Sequence, residues 1–374
     1  MKVRAAVLHE IGAPAPYAQS RPLTIETVDL DPPGEGEVLI SIKAAGLCHS
    51  DLSVINGARP RPVPMVLGHE ASGIVTGIGP GIDDLAVGDH VVLVFVPSCG
   101  HCVPCAEGRP ALCEPGAAAN TQGTLITGAR RLHLKGNDIH HHLGVSAFAD
   151  QAVVSRNSVV KINKHISFED AALFGCAVIT GVGAVLNTAR VKGGESVAVI
   201  GLGGVGLNAL LGARLAGACK IIAIDLLDKK LVLAQELGAT HVINAREPGC
   251  AEHVRHITQG GVDHAFEMSG SIPALELAWE ITRRGGETIT AGLPHPGKRL
   301  AIPPVQLVGE ERTLRGSYLG SCVPVRDIPS YIDLFQSNRL PVEKLKSDYI
   351  RIEHINEAFD KLSAGEAIRQ IIVF

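Results

Sequence analysis

A glycine-rich turn between an apolar strand and a helical stretch constrains the fold most strongly. The run SVAVI leads into GLGGVG, where Gly201, Gly203 and Gly206 hold the G-x-G-x-x-G spacing. The first glycine permits a tight turn, the second lets the backbone approach a pyrophosphate, and the third lets helix and strand pack closely. Asp225 ends the next predicted strand, where a carboxylate accepts hydrogen bonds from ribose hydroxyls and repels a 2′-phosphate. The segment therefore predicts a dinucleotide site that favours NAD over NADP.

Strand and helix patterns alternate on both sides of this turn. Six strand-like runs between Ser196 and Tyr318 alternate with helical stretches, which is typical of a doubly wound parallel α/β sheet. The earlier part of the chain has short β-rich runs broken by Gly, Pro and Asp. We predict a β-rich first domain over 1–177, a dinucleotide-binding domain over 178–319, and a tail, 320–374, that returns to the first domain.

Composition excludes several classes of protein. Thirty-four Lys and Arg against 38 Asp and Glu give a net charge of −4 without a basic block, so no nucleic-acid partner is expected. The longest apolar run, 196–213, contains Asn208 and several glycines, which predicts a turn rather than a membrane span. The N-terminus has too few apolar residues for an export signal, and nine cysteines then indicate a reducing compartment. We expect a cytoplasmic protein without a membrane partner.

Four cysteines lie close together within about residues 96–114. Their spacing is C-x2-C-x2-C-x7-C, formed by Cys99, Cys102, Cys105 and Cys113. Four thiolates at this spacing close a tetrahedron, which is typical of a structural zinc site. An iron-sulfur cluster is the chemical rival, but the chain lacks a second cluster motif. A zinc-ribbon nucleic-acid binder would need a basic surface, and this segment offers only Arg109.

Three further candidate metal ligands are far apart in the sequence. They are Cys48 in GLCHSD, His69 in LGHEASG and Cys176 in LFGCAVITGVG, and spacing alone does not join them. Together with the four-cysteine lobe, GLGGVG and the terminal AIRQIIVF, these motifs make the chain resemble medium-chain zinc-dependent alcohol dehydrogenases of the long-loop, dimeric branch. The resemblance implies a GroES-like catalytic domain, a Rossmann domain, NAD and two zinc ions per chain.

The resemblance also implies a role for each residue around a catalytic zinc. Cys48, His69 and Cys176 bind the zinc and leave one position open, so that hydride leaves a zinc-bound alkoxide. Asp51 orients the ligand His69, as metal-binding imidazoles generally require. Glu70 lies near the metal and takes part in ligand exchange.

Further residues match family positions that contact protons or cofactor. Ser50 matches the hydroxyl that contacts the alcohol oxygen and starts the proton relay. A histidine that often completes this relay is replaced here by Ser53, so the last proton acceptor is open between water and His49. The cofactor contacts that the resemblance implies are His49, Thr180, Gly201, Gly203, Gly204, Val205, Gly206, Asp225, Lys230, Leu293 and Arg369.

The predicted substrate pocket is mostly apolar, as an alkyl or aryl chain requires. By resemblance it consists of Phe95, Leu112, His142, Leu143, Leu293 and Leu319. His142 occupies a position where large aromatics are common, so we expect the pocket mouth to accept a polar or aromatic group. We expect the neighbouring His140 and His141 to lie in a solvated loop.

The predicted activity is reversible NAD-dependent oxidation of primary or secondary alcohols to aldehydes or ketones. One alternative is a dehydrogenase of a thiol-formaldehyde adduct, although the residues after Cys113 include no basic side chain before Arg130. Another is a non-catalytic dinucleotide-binding protein on the same scaffold, which the joint presence of the three candidate ligands disfavours. The segment between Cys113 and Leu143 resembles the longer of two forms found in the family, and this resemblance implies a homodimer, with sheet edges near 300–313 pairing across the interface.

Overall fold

The computed structural model describes residues 1–374. Its strands, in chain order, are β1 (Lys2–Leu8), β2 (Leu23–Leu30), β3 (Glu37–Gly46), β4 (Met65–Val66), β5 (Glu70–Ile78), β6 (His90–Leu93), β7 (Leu132–Leu134), β8 (Asn137–His141), β9 (Gln151–Ser155), β10 (Val159–Ile162), β11 (Ser196–Ile200), β12 (Lys220–Asp225), β13 (His241–Asn244), β14 (Val262–Glu267), β15 (Thr282–Thr290), β16 (Thr313–Gly316), β17 (Lys346–Ile350) and β18 (Arg369–Val373).

Helices connect these strands. The α-helices are α1 (Tyr17–Ser20), α2 (His49–Ile55), α3 (Val103–Ala106), α4 (Glu114–Gln122), α5 (Phe168–Ala172), α6 (Ala177–Gly183), α7 (Gly204–Leu215), α8 (Asp228–Glu236), α9 (Cys250–Thr258), α10 (Ile272–Ile281), α11 (Pro304–Gly309), α12 (Pro324–Gln336) and α13 (Ile355–Ser363). A π-helical segment, Ala184–Ala189, follows α6.

The chain divides into two compact units. The first contains Met1–Cys176, Val323–Gln336 and Val342–Phe374, and the second contains Ala177–Cys322 with Ser337–Pro341. In the first unit, β1, β2, β7, β8 and β4 form a closed barrel around apolar side chains such as Val28. A second sheet of that unit has the order β10-β6-β5-β3-β18-β17, with β9 also paired to β3.

The second unit is built on one parallel sheet. Its order is β13-β12-β11-β14-β15-β16, and every neighbouring pair is parallel. The strand SVAVI is buried along its whole length, as expected for a parallel sheet covered on both faces. The predicted doubly wound parallel sheet with six strands is therefore confirmed.

None of the helices combines the length and the hydropathy that a membrane span requires. Only a bent pair, Phe168–Gly175 with Ala177–Ala189, reaches both criteria jointly, and most of its residues are buried in the protein.

Candidate active site

Three metal-binding side chains meet in the first unit although they are far apart in sequence. Cys48 caps α2 directly after β3, His69 directly precedes β5, and Cys176 follows a short 3-10 turn. Their ligand atoms all lie within 4.8 Å of one another, and all three residues are buried. Two thiol sulfurs and one imidazole nitrogen are a donor set that zinc prefers, and three protein ligands leave a fourth position open.

Asp51 organises this cluster from behind. Its Oδ1 lies 3.0 Å from Nδ1 of His69, which leaves Nε2 of that ring for a metal. The same carboxylate accepts hydrogen bonds from the backbone N–H groups of Gly68, at 3.1 Å, and Cys48, at 3.3 Å. Burial alone would raise the pKa of Asp51, but the charges and hydrogen bonds of His69 and His142 outweigh it and lower the pKa to about 2. Asp51 is therefore a carboxylate that fixes both the ring and the backbone around it.

The electrostatics of the cluster favour an anion beside a cation. The pKa of Cys48 lies well below its usual value, chiefly because Cys176 donates a hydrogen bond to it, and the positive Arg369 and His69 act in the same direction. Conversely, the hydrogen bond with Cys48 and burial hold the pKa of Cys176 well above its usual value. Nε of Arg369 lies 3.5 Å from Oε1 of the fully buried Glu70, and its Nη1 donates to the Leu47 carbonyl at 3.0 Å. A thiolate and a carboxylate thus share one guanidinium in a buried site.

The four clustered cysteines also converge in the first unit. The ligand atoms of Cys99, Cys102, Cys105 and Cys113 all lie within 4.8 Å of one another. Backbone N–H groups already point at two of the sulfurs: the N–H of Cys102 donates to Cys99 at 3.2 Å, and the N–H of Cys99 donates to Cys113 at 3.1 Å. A backbone hydrogen bond from His101 is the chief cause that lowers the pKa of Cys99 to about 6, whereas burial raises the pKa of Cys105 to about 12. Four sulfurs in this closed arrangement suit a structural zinc ion.

The glycine-rich turn of the second unit links β11 to α7. Gly201 has φ +89°, which favours glycine, and a Cβ on Gly206 would lie 1.8 Å from the Gly201 carbonyl oxygen. A Cβ on Gly203 would meet no atom within 4 Å, so this side of the turn is open for a ligand. Asp225 accepts the N–H of Leu202 at 2.7 Å and thereby anchors the turn from β12. The turn fits a dinucleotide pyrophosphate at the N-terminus of α7.

The other predicted cofactor contacts occupy varied environments. Nζ of Lys230 lies 3.9 Å from Oδ2 of Asp225, and Gly204 and Val205 form the first turn of α7. Thr180 is buried within α6, Leu293 is 47% exposed in the second unit, and His49 is exposed at the start of α2 in the first. The hydroxyl of Ser53 donates to the His49 carbonyl at 2.8 Å, so it closes a turn of α2.

Two of the predicted pocket residues of the first unit, Phe95 and His142, contact the ligand histidine. The rings of Phe95 and His142 meet His69 edge-on, with centroids 5.4 Å and 5.5 Å away. His142 is 1% exposed, and its Nδ1 lies 3.1 Å from Asp51 Oδ1, so it lies inside the site rather than at an open mouth.

The remaining pocket residues lie in different surroundings. Leu143 is buried, and Leu112 is 39% exposed in a short 3-10 helix of the first unit. Leu319 is buried in the second unit.

The prediction of a solvated loop for His140 and His141 is wrong. Both lie in β8, where they pair with Met65 and Val66 of β4, and His141 is buried. Because successive strand residues alternate between faces, Ile139 and His141 both point into the protein. This alternation in NDIHH was the signal in the sequence that could have revealed the buried histidine.

Sequence reasoning also missed a support for the pocket wall. Asn120, near the end of α4, donates to the Phe95 carbonyl at 2.9 Å, and Arg61 donates to the Asn120 carbonyl at 3.1 Å. No sequence signal joins these residues, since each contact spans a long stretch of chain. The three cysteines without a predicted role divide between surface and core: Cys219 is exposed, and Cys250 and Cys322 are buried.

Comparison with known proteins shows the family. Residues 34–164 match the family described as alcohol dehydrogenase GroES-like domain, and residues 204–337 match the zinc-binding dehydrogenase family. An S-(hydroxymethyl)glutathione dehydrogenase from Paracoccus denitrificans is 36% identical, with 100% of both chains covered. The chain belongs to the zinc-dependent alcohol dehydrogenase family. It is therefore an enzyme, an oxidoreductase of small-molecule alcohols and aldehydes, and the family's cofactors are zinc and NAD.

Solved structures agree with this assignment. A benzyl alcohol dehydrogenase from Acinetobacter calcoaceticus has a TM-score of 0.93 at 34% identity, covering 100% of this chain and 99% of that one. An alcohol dehydrogenase zinc-binding domain protein from Burkholderia ambifaria has a TM-score of 0.94 at 37% identity, with the same coverage. The predicted GroES-like and Rossmann architecture is thus confirmed.

Proposed function

We propose that this enzyme oxidises simple primary or secondary alcohols, with aryl and alkyl alcohols as its substrate class, and reduces the matching aldehydes or ketones. The observation that carries the proposal is the convergence of Cys48, His69 and Cys176 in one buried group, with Asp51 fixed behind His69. A non-catalytic dinucleotide-binding protein would have no need for this arrangement.

Each residue of the site has a defined task in this proposal. Cys48, His69 and Cys176 would hold the catalytic zinc, which when bound lowers the pKa of an alcohol and polarises a carbonyl. Asp51 keeps His69 in the tautomer and orientation that ligation needs. Ser50, at the start of α2, both accepts and donates a proton and so would begin the path to solvent.

The remaining polar residues support binding rather than chemistry. Glu70, paired with Arg369, would approach the metal during ligand exchange. The turn from Gly201 to Gly206 would hold the pyrophosphate of NAD, and Asp225 would accept hydrogen bonds from the adenosine ribose hydroxyls. Cys99, Cys102, Cys105 and Cys113 would hold a second, structural zinc.

The buried apolar side chains among the predicted pocket residues favour an apolar substrate. Phe95 and Leu143 are buried apolar side chains, and residues 114–129 carry no basic group that could hold an anionic substrate. The likeness to a benzyl alcohol dehydrogenase supports an aryl alcohol. The curated relative named S-(hydroxymethyl)glutathione dehydrogenase supports the second candidate, a thiol-formaldehyde adduct.

Turnover by zinc-loaded protein separates the two substrate classes. NADH formation would be measured with benzyl alcohol, ethanol and hexanol, and with formaldehyde in the presence or absence of glutathione. We expect turnover on the simple alcohols without any thiol. Activity only when formaldehyde and glutathione are present together would replace the main proposal with the second.

Matched cysteine variants test the zinc site itself. Cys176→Ser should abolish turnover because it removes a proposed ligand, whereas Cys219→Ser changes an exposed thiol and should leave turnover intact. Equal activity of the two variants would contradict the proposed ligand set.

We also propose a cytoplasmic homodimer. Two observations support the dimer. Strand β16 pairs only with β15 and so forms an edge of the sheet. In the nearby α11, Val305 and Val308 are 73% and 82% exposed. Light scattering should give the mass of two chains, and a Val308→Lys substitution should shift it toward one. A monomeric wild-type protein at micromolar concentration would contradict the proposed dimer.

A further inference from the structure

Glu267 is a buried carboxylate at the end of β14, and none of the predicted roles uses it. It is 1% exposed. Its Oε1 accepts hydrogen bonds from the N–H groups of Ser269, at 2.7 Å, and Gly270, at 2.6 Å, and from the Ser269 hydroxyl at 2.8 Å. This one oxygen therefore fixes the loop that follows β14.

The second carboxylate oxygen and the backbone carbonyl of Glu267 fix the loop that follows β15. Oε2 of Glu267 accepts the hydroxyl of Thr290 at 2.8 Å, and the backbone carbonyl accepts the N–H of Ala291 at 3.0 Å. A Cβ on Gly292 would lie 2.5 Å from Oε2, so the second loop passes directly against the carboxylate. Glu267 thus holds the loops after two neighbouring strands in one arrangement.

Both loops lie at the edge of the sheet that carries the glycine-rich turn. A Cβ on Gly201 would lie 2.8 Å from Cβ of Ser269, so the first loop packs against the glycine-rich turn. A Cβ on Gly270 would lie 3.1 Å from the N of Leu293, so the first loop also supports the backbone of a predicted cofactor contact.

The strand order separates the two halves of the dinucleotide. In a doubly wound sheet the ligand crosses the carboxyl edge where the strand order reverses, here between β11 and β14. Asp225, at the end of β12, lies on the adenosine side of this point. The loops after β14 and β15 lie on the opposite side, which is the side of the nicotinamide.

We propose that Glu267 is a positioning residue for the nicotinamide half of NAD, an inference that rests on the proposed function. Its carboxylate joins the two loops so that the backbone at Leu293 and Ser269 is already ordered when the cofactor binds. Loss of the charge would weaken the hydrogen bonds that the N–H groups of Ser269 and Gly270 make to this carboxylate, and the cofactor would then have to order the loops itself.

Ligand binding to Glu267→Gln tests this directly. The Kd of NADH would be measured by fluorescence, and the Kd of ADP-ribose, which lacks the nicotinamide, by calorimetry. We expect the Kd of NADH to rise about tenfold and that of ADP-ribose by less than about threefold. Glu236→Gln, which changes an exposed carboxylate on α8, is the matched control and should leave both constants unchanged.

The outcomes separate this inference from the proposed function. If wild-type protein binds neither ligand, the proposed function itself fails. If wild type binds both and Glu267→Gln binds NADH equally well, or loses affinity for both ligands to the same degree, the positioning role is overturned. If Glu267→Gln does not fold, Thr290→Val can be used instead, because it removes only one hydrogen-bond donor to Glu267. This variant should still raise the Kd of NADH more than the Kd of ADP-ribose. Equal increases of the two constants would overturn the positioning role.

Discussion

The buried His141 makes the stability of the first unit depend on pH. Its Nε2 accepts the N–H of Arg131 at 3.0 Å, so the neutral ring carries its proton on Nδ1. A second proton would have to replace that hydrogen bond at a buried site. Burial is the main cause that lowers the pKa of His141 from 6.5 to about 3, and the charges of Arg130 and Arg131 add to it.

The size of the effect follows from proton linkage. The folded state resists protonation, and the unfolded chain binds a proton below pH 6.5, so the contribution is fully present above pH 6.5 and is lost as pH falls toward 3. Between pH 8 and pH 5 the loss amounts to about 2 kcal/mol of unfolding free energy. With an m-value of about 3 kcal/mol per molar urea, the midpoint shifts by about 0.7 M.

The substitution His141→Gln isolates this contribution. Glutamine places an oxygen near the position of Nε2 and does not titrate. Between pH 8 and pH 5, the urea midpoint of the variant should therefore fall by about 0.7 M less than that of the wild type. Far-UV circular dichroism would follow unfolding of zinc-saturated protein, with exposed His165→Gln as the control. Equal pH dependence in wild type and His141→Gln would refute the reasoning.

Three further predictions concern the site. Asp51→Asn should lower the zinc affinity measured by chelator competition about 10- to 100-fold, because the neutral amide supports His69 less well. Unchanged zinc retention by this variant would contradict the role assigned to Asp51. Cys105→Ser should lower the thermal midpoint by about 5 °C or more, while Cys219→Ser leaves it unchanged; equal midpoints would exclude a stabilising zinc in the lobe. Ser53→His should make turnover depend on an ionisation near pH 6.5, and an unaltered pH profile would show that no proton passes this position.

The cofactor domain was predictable because its signals are local. The run from Ser196 through Gly206 carries strand, turn and helix in order, and the alternation continues to Thr313. Helix α9 was not predicted, although Ala251 and Val254 follow helical spacing on its buried face. Four cysteines close in sequence likewise lie close together in the structure.

The candidate active site was predictable only through resemblance. Cys48, His69 and Cys176 reach one point because β3, β5 and a 3-10 turn converge there, which no local pattern encodes. The contact of His142 with Asp51 and the support of Phe95 by Asn120 depend on long-range packing in the same way. His141 was misjudged because three consecutive histidines look polar, whereas the barrel buries Ile139 and His141, which share one face of β8.

Zinc content by native mass spectrometry tests the central claim most directly. The account predicts two zinc ions per chain in the wild-type protein and one in Cys48→Ser, which removes a ligand of the catalytic site but leaves the four-cysteine lobe intact. Two zinc ions retained by Cys48→Ser, or a single zinc in the wild type, would contradict the assignment of Cys48, His69 and Cys176 as the ligands of a catalytic zinc.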